Sequence, residues 1–205
     1  TSNAGATVCT PCAPGRYALN SECLACEAGK YSGEDGAGSP SCTACEAGHT
    51  SKAGATECTA CVTGRYGLDA ECIACEAGKY SDDPGSVACK LCPVGMATSV
   101  AGSTSCSVCK PGKFSNEITC DFCPIGKYSS EGSDDCSKCD NGKASTVAGT
   151  SACDECPAGT YSVGTSCALC PAGKSSNAGA TFCIQCASGQ FSGEGSQTCE
   201  SCSSA

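Results

Sequence analysis

The 205-residue chain has no tryptophan, one methionine and one histidine, and its Leu, Ile, Val and Phe together number only 21. A soluble domain folded round one hydrophobic core needs about twice that apolar share. A compact enzyme such as a barrel or a doubly wound sheet is therefore excluded. No apolar run approaches the roughly 20 residues of a membrane span, and no secretory leader pattern is present in the stretch. Basic blocks are missing too: 12 Lys and Arg face 21 Asp and Glu, a net charge of −9. Phosphate backbones and anionic lipid surfaces attract clustered cations, so neither nucleic acid nor a membrane surface is an expected partner. The sequence contains no Asn-x-Ser/Thr sequon. It opens at Thr1 partway through a repeat, which reads as a processed protein or a window onto a longer one.

What the chain has instead is 26 cysteines and 26 glycines. Every cysteine belongs to a Cys-x-x-Cys pair, and the thirteen pairs begin at Cys9, Cys23, Cys42, Cys58, Cys72, Cys89, Cys106, Cys120, Cys136, Cys153, Cys167, Cys183 and Cys199. No interval breaks the rhythm, so residues 1–205 read as one continuous array in which each unit touches mainly its neighbours. The third residue after each pair is glycine in all twelve intervals, from Gly15 to Gly189. That requirement points to positive φ or to a backbone approach too close for a Cβ. Proline often precedes it, as at Pro14, Pro111 and Pro157, which fits a fixed turn. All six tyrosines lie two residues beyond that glycine, and Phe114 and Phe191 take the same place. The residue between is Lys or Arg in eight intervals.

A shorter step recurs among longer ones, and small-residue phrases such as Ala53-Gly54-Ala55-Thr56 and Ala101-Gly102-Ser103-Thr104 mark a superrepeat of three units. Its divisions fall at about 1–50, 51–98, 99–145 and 146–205. Because Ala178-Gly179-Ala180-Thr181 arrives one unit early, one unit is expected to be missing near the C-terminal end. Apolar periodicity of 3.6 is absent and Gly or Pro interrupts every stretch of about ten residues, so helices longer than a turn are not expected. Short runs such as Lys30-Tyr31-Ser32 predict two- or three-residue strands in small hairpins. The aromatic would then cover the nearest disulfide, giving each unit a core of one ring and some sulfur. The cationic stems would cover aromatics of neighbouring units.

Several chemistries could use these residues. Paired Cys-x-x-Cys motifs resemble zinc ribbons in spacing, but thirteen pairs cannot be grouped evenly into four-cysteine sites, and Cys/His alternation is missing. A thioredoxin-like redox pair needs a βαβ setting that the chain lacks. His49 occupies a cationic slot and reads as a lysine substitute, with no nucleophile or acid partner. Glu34-Asp35, Asp82-Asp83 and Asp134-Asp135 do not follow the oxygen spacing of a calcium loop and read as solvated turns. No catalytic, metal or cofactor residue is therefore assigned. Serine and threonine exceed a fifth of the chain, with clusters at Thr98-Ser99 and Ser175-Ser176 that would accept O-linked sugar.

Phrases such as Cys156-Pro157-Ala158-Gly159-Thr160-Tyr161-Ser162 and Cys170-Pro171-Ala172-Gly173-Lys174-Ser175-Ser176 resemble the ephrin-receptor-like cysteine-rich repeats, distant relatives of the tumour-necrosis-factor-receptor and growth-factor-receptor modules. Long tandem runs similar to this one occur in surface antigens and mastigoneme-type filaments of unicellular eukaryotes. The resemblance covers the whole chain and implies an extracellular or cell-surface protein, not an enzyme. The expectation is a small disulfide-rich repeat array, an elongated rod of short hairpins and turns with little regular secondary structure. It would serve a surface filament, hair, coat or stalk, with neighbouring copies or other filament or coat proteins as partners. A receptor or adhesin ectodomain, and a zinc-binding surface protein, are the competing readings.

Connectivity is constrained by the odd number of pairs. Matching whole pairs would strand one pair and split the array into separate beads. Bonds within each pair would leave the intervals unclosed. A continuous ladder joins Cys12 with Cys23, Cys26 with Cys42, Cys45 with Cys58, Cys61 with Cys72, Cys75 with Cys89, Cys92 with Cys106, Cys109 with Cys120, Cys123 with Cys136, Cys139 with Cys153, Cys156 with Cys167, Cys170 with Cys183, and Cys186 with Cys199. Closure entropy changes slowly with loop length, so the varied intervals are compatible with it. Cys9 and Cys202 remain over, as candidates for bonds to preceding and following units or to another subunit.

Overall fold

The structure is a computed structural model and describes residues 11–33 and 40–202. Among the described residues there is no helix, and the strands form twelve separate two-stranded antiparallel hairpins. Each hairpin belongs to one cystine-closed loop. Loop 1 is closed by Cys12–Cys23, loop 2 by Cys26–Cys42, loop 3 by Cys45–Cys58, and so on in chain order to loop 12, closed by Cys186–Cys199. The loops span 11 to 16 residues. The chain divides into two compact units, Thr1–Cys92 with Thr98–Cys106, and Pro93–Ala97 with Ser107–Ala205.

Each loop opens with the same turn. In loop 1 the Arg16 amide donates to the Ala13 carbonyl at 3.2 Å, with Pro14 and Gly15 between them. Gly15 takes φ +77°, so Pro at the second and a left-handed residue at the third position make this a type II turn. The turn feeds an opening strand, and a closing strand returns through the first cysteine of the next pair. In loop 1, Arg16–Leu19 pairs with Glu22–Ala25 so that Tyr17 faces Leu24. The strands stay short because the next turn begins directly after the second cysteine.

Loops 1, 4, 7 and 10 are the 11-residue ones, with hairpin strands of three or four residues. In loops 1 and 4 a two-residue tip joins the strands, Asn20-Ser21 and Asp69-Ala70, with positive φ at both positions, the tip that matches strand twist. The other loops carry two-residue strands and a longer return. One short loop and two long ones therefore alternate, and loops 10, 11 and 12 keep that order at 11, 13 and 13 residues. The expected loss of one unit near the C-terminus is corrected by this. Ala178-Gly179-Ala180 is the second turn of loop 11, and Gly85, Gly132 and Gly195 supply the same positive-φ turn under different flanking residues.

The core differs from the expected ring and sulfur. Buried side chains are half-cystines such as Cys75 and Cys109, Ala97, Ala144, and six serines including Ser81 and Ser176. All six tyrosines are only half-buried. Nineteen Leu, Ile, Val and Phe side chains are exposed, Val94 at 76 % and Phe182 at 67 %. A two-stranded hairpin has no second layer to enclose a ring, whereas a cystine and a serine fit the space between stacked loops.

Candidate functional site

The repeated structural site is the seam between successive loops, and it is assembled from the turn glycine of one loop and the residue three positions after the turn glycine of the next. The Gly64 amide of loop 4 donates to the Ser81 carbonyl of loop 5 at 2.7 Å, and the Gly112 amide of loop 7 donates to the Ser129 carbonyl of loop 8 at 2.9 Å. In several seams the serine hydroxyl returns the contact, whereas Ser81 Oγ bonds within its own loop, to the Asp83 carbonyl and Ser86. Ser129 Oγ donates to the Lys113 carbonyl at 2.8 Å, and Ser176 Oγ donates to the Thr160 carbonyl at 2.7 Å. Main chain of one loop is thus satisfied by the next. The carbonyl of each turn glycine accepts from the second cysteine of the following pair, as from Cys75 to Gly64 at 2.9 Å. No side-chain N or O buried among the described residues lacks a hydrogen-bond partner.

Contacts reach past the adjacent loop. The Gly102 amide of loop 6 donates to the Cys75 carbonyl, which opens loop 5, and its own carbonyl lies over Gly64 of loop 4. A Cβ on Gly64 would stand 2.1 Å from that oxygen. The same relation joins Gly15 with Gly54 and Gly112 with Gly149. Gly29 is covered instead by the Ala70 side chain. These turn glycines are therefore fixed twice, by positive φ and by a neighbour two loops on, whereas Gly189 has open space where its Cβ would go. Nearest-neighbour contact alone, as expected for a simple array, does not describe the packing. The serines of the seam were missed by sequence reasoning. A hydroxyl occurs three residues after the glycine in every long loop, but a chain so rich in Ser and Thr hides that column.

Five of the eight cations in this slot find a partner within their own hairpin or turn. Arg16 and Arg65 donate through Nη1 to the carbonyls of Cys23 and Cys72, at 3.1 and 2.9 Å. Lys30 pairs with Glu27 and Lys79 with Glu76. Lys113 Nζ stands 4.2 Å from the Phe122 ring centroid, across the same hairpin and not on a neighbouring unit as expected, because cross-strand side chains lie closest. His49 Nδ1 lies 3.3 Å from the Ala47 carbonyl.

Asp82 and Asp83 both face Lys90, at 2.5 and 3.3 Å. The hydrogen bond from Lys90 holds the Asp82 carboxyl below its ordinary pKa, and those carboxylates raise Lys90 above its own. Asp135 Oδ1 accepts from the Cys136 amide at 2.7 Å. Glu34-Asp35 lies outside the described residues.

Twenty-four cysteines are joined in the twelve cystines, so their sulfurs are not thiolates able to ligate zinc. Cys202 is the free cysteine among the described residues and is exposed; Cys9 lies outside them. Among the described residues no group of three or more His, Cys, Asp or Glu could hold a metal ion, and no helix is long and apolar enough to cross a membrane. The clefts are open. One of about 290 Å³ is lined by Tyr66, Glu76, Lys79, Ala88 and Cys89. Another, of about 440 Å³, includes Glu46, His49 and Asp69 among its walls.

The family described as tyrosine-protein kinase ephrin type A/B receptor-like matches residues 64–109 and 126–166, together under half of the chain. Both stretches begin on a turn glycine. The chain thus carries tandem, disulfide-bonded, ephrin-receptor-like cysteine-rich repeats. A comparison with curated proteins finds no match.

Proposed function

We propose that this chain is an extracellular structural protein, a disulfide-stabilised rod within a surface filament, hair, coat or stalk. The observation that carries the reading is that every described loop is closed by its own cystine and stacked through main-chain hydrogen bonds. Stability then comes from cross-links and seams, and cross-linking at this density belongs to oxidising, extracytoplasmic compartments. The ephrin-receptor-like match supports an extracellular setting. Side chains that recur from loop to loop, the glycines, serines and half-cystines, are used in building the loops and seams. Neighbouring copies or other coat proteins are the proposed partners, and Cys202 is a candidate for a bond to a following unit or another subunit.

Surface labelling of intact cells followed by immunogold microscopy tests this reading. Gold is expected along a surface appendage or coat. Exclusively cytosolic label, or a fully reduced chain isolated under thiol-blocking conditions, would overturn it. A receptor or adhesin would concentrate exposed apolar side chains in one loop, whereas here they run from Leu19 to Phe191.

A further inference from the structure

Tension applied along a cross-linked chain follows its shortest covalent route. From Cys12 that route crosses the cystine to Cys23, a Cα–Cα step of 5.6 Å. It follows Leu24 and Ala25 to Cys26 and crosses again to Cys42, a step of 5.7 Å. The same alternation continues to Cys199. Every opening turn, opening strand and return segment lies off this route. The links that lie on it are already extended: Leu24-Ala25, Ile73-Ala74 and Asp121-Phe122 all belong to closing strands.

We propose that the ladder is a covalent load path, and that the protein is a tension-bearing tether whose loops are shielded from the pull. The inference deepens the structural role given above and rests on that reading for the presence of tension. Twelve bridges and eleven three-step links, at about 3.4 Å per backbone step, give a taut Cys12–Cys199 length of roughly 180 Å. The same segment without its bridges would reach about 640 Å. The residues inside each closed loop, turn glycines and exposed side chains such as Phe182 among them, therefore cannot be drawn out while the bridges hold.

The stored length is released when a cystine is cleaved, as by an external dithiol reductant. Its thiolate attacks one sulfur of a cystine, forming a mixed disulfide and expelling the other cysteine as thiolate. The reductant's second thiol then closes its own disulfide and frees the remaining cysteine; the reductant loses the two electrons that the cystine gains. An 11-residue loop such as Cys109–Cys120 releases about 32 Å, and the 16-residue loop Cys26–Cys42 about 49 Å.

Single-molecule stretching of the full chain between terminal handles tests the proposal. Without reductant, extension of the Cys12–Cys199 segment is expected to stop near roughly 180 Å. With dithiothreitol, discrete steps of about 32–49 Å should follow, up to one per cystine. A ten-residue Gly/Ser insertion between Glu117 and Ile118, at the exposed tip of loop 7, should leave the oxidised length unchanged and enlarge one reductive step by about 34 Å. Extension of the unmodified chain well past that limit before reductant is added, or an oxidised length that grows with the insertion, would overturn the load path. A failure of surface labelling would remove the structural reading and leave these lengths unchanged, so the two fail separately.

Discussion

The carbonyl oxygen of Gly102 lies where a Cβ on Gly64 would be, 2.1 Å from its ideal position, although the two residues sit two loops apart. Gly64 also takes φ +79°. One glycine therefore satisfies a local turn and a tertiary contact at once.

Gly64→Ala should be costly on both counts. The left-handed conformation costs an L-residue about 1–2 kcal/mol, and overpacking against main chain adds roughly 1–3 kcal/mol. Gly54→Ala is the control, since Gly54 has φ +75° but open space where its Cβ would go, so only the first cost applies. Hydrogen exchange at the Cys75 amide, which donates to the Gly64 carbonyl, should accelerate at least tenfold in Gly64→Ala. Equal stability losses in the two variants would show that the contact across loops contributes nothing.

Ser176 tests the seam. It is 3 % exposed and donates to the Thr160 carbonyl at 2.7 Å. Ser176→Ala should cost about 0.5–1.5 kcal/mol through the lost bond, and Ser176→Val about 1–3 kcal/mol through overpacking. Thermal melts with cystines intact would order the three proteins; a valine variant as stable as wild type would mean the site is not closely packed.

Removing the Cys75–Cys89 bridge by a double serine substitution should lower stability by about 2–4 kcal/mol, from the unfolded-state freedom regained by a 14-residue loop. Full reduction should abolish the hairpin fold measured by circular dichroism. A chelator should leave the spectrum unchanged, and loss of structure on adding one would instead indicate metal-held cysteines.

Asp82 and Lys90 set a pH dependence with two edges. Asp82 is depressed in the folded chain, so its contribution is present above the unfolded carboxylate value and is lost as pH falls through the folded one. Lys90 is raised, so its contribution is full below the unfolded lysine value and is lost as pH rises through the folded one. Between the two the pair contributes evenly across neutral pH. An NMR titration should place the Asp82 midpoint below that of an unpaired aspartate, and Lys90→Met should raise it toward the ordinary range.

The sequence by itself determined the positions that need a left-handed backbone, the loop lengths and the shortness of the strands. These are local matters. Gly15 must adopt positive φ because Pro14 and the Arg16 strand lie either side of it, and steric exclusion acts within a few bonds. The hairpin array and the absence of long helices were legible for the same reason. Burial was not legible, because it depends on what stacks where. Tyr17 and Tyr66 look like core residues in the sequence, yet a single-layer hairpin leaves their rings half-buried. Ser81 looks like turn filler, yet it is 1 % exposed, because the turn glycine of the preceding loop presents its amide to the Ser81 carbonyl. Only the tertiary structure decided that Gly64 meets Gly102 as well as the adjacent loop, since the second turn of loop 6 folds back across loop 5 before it finds a partner.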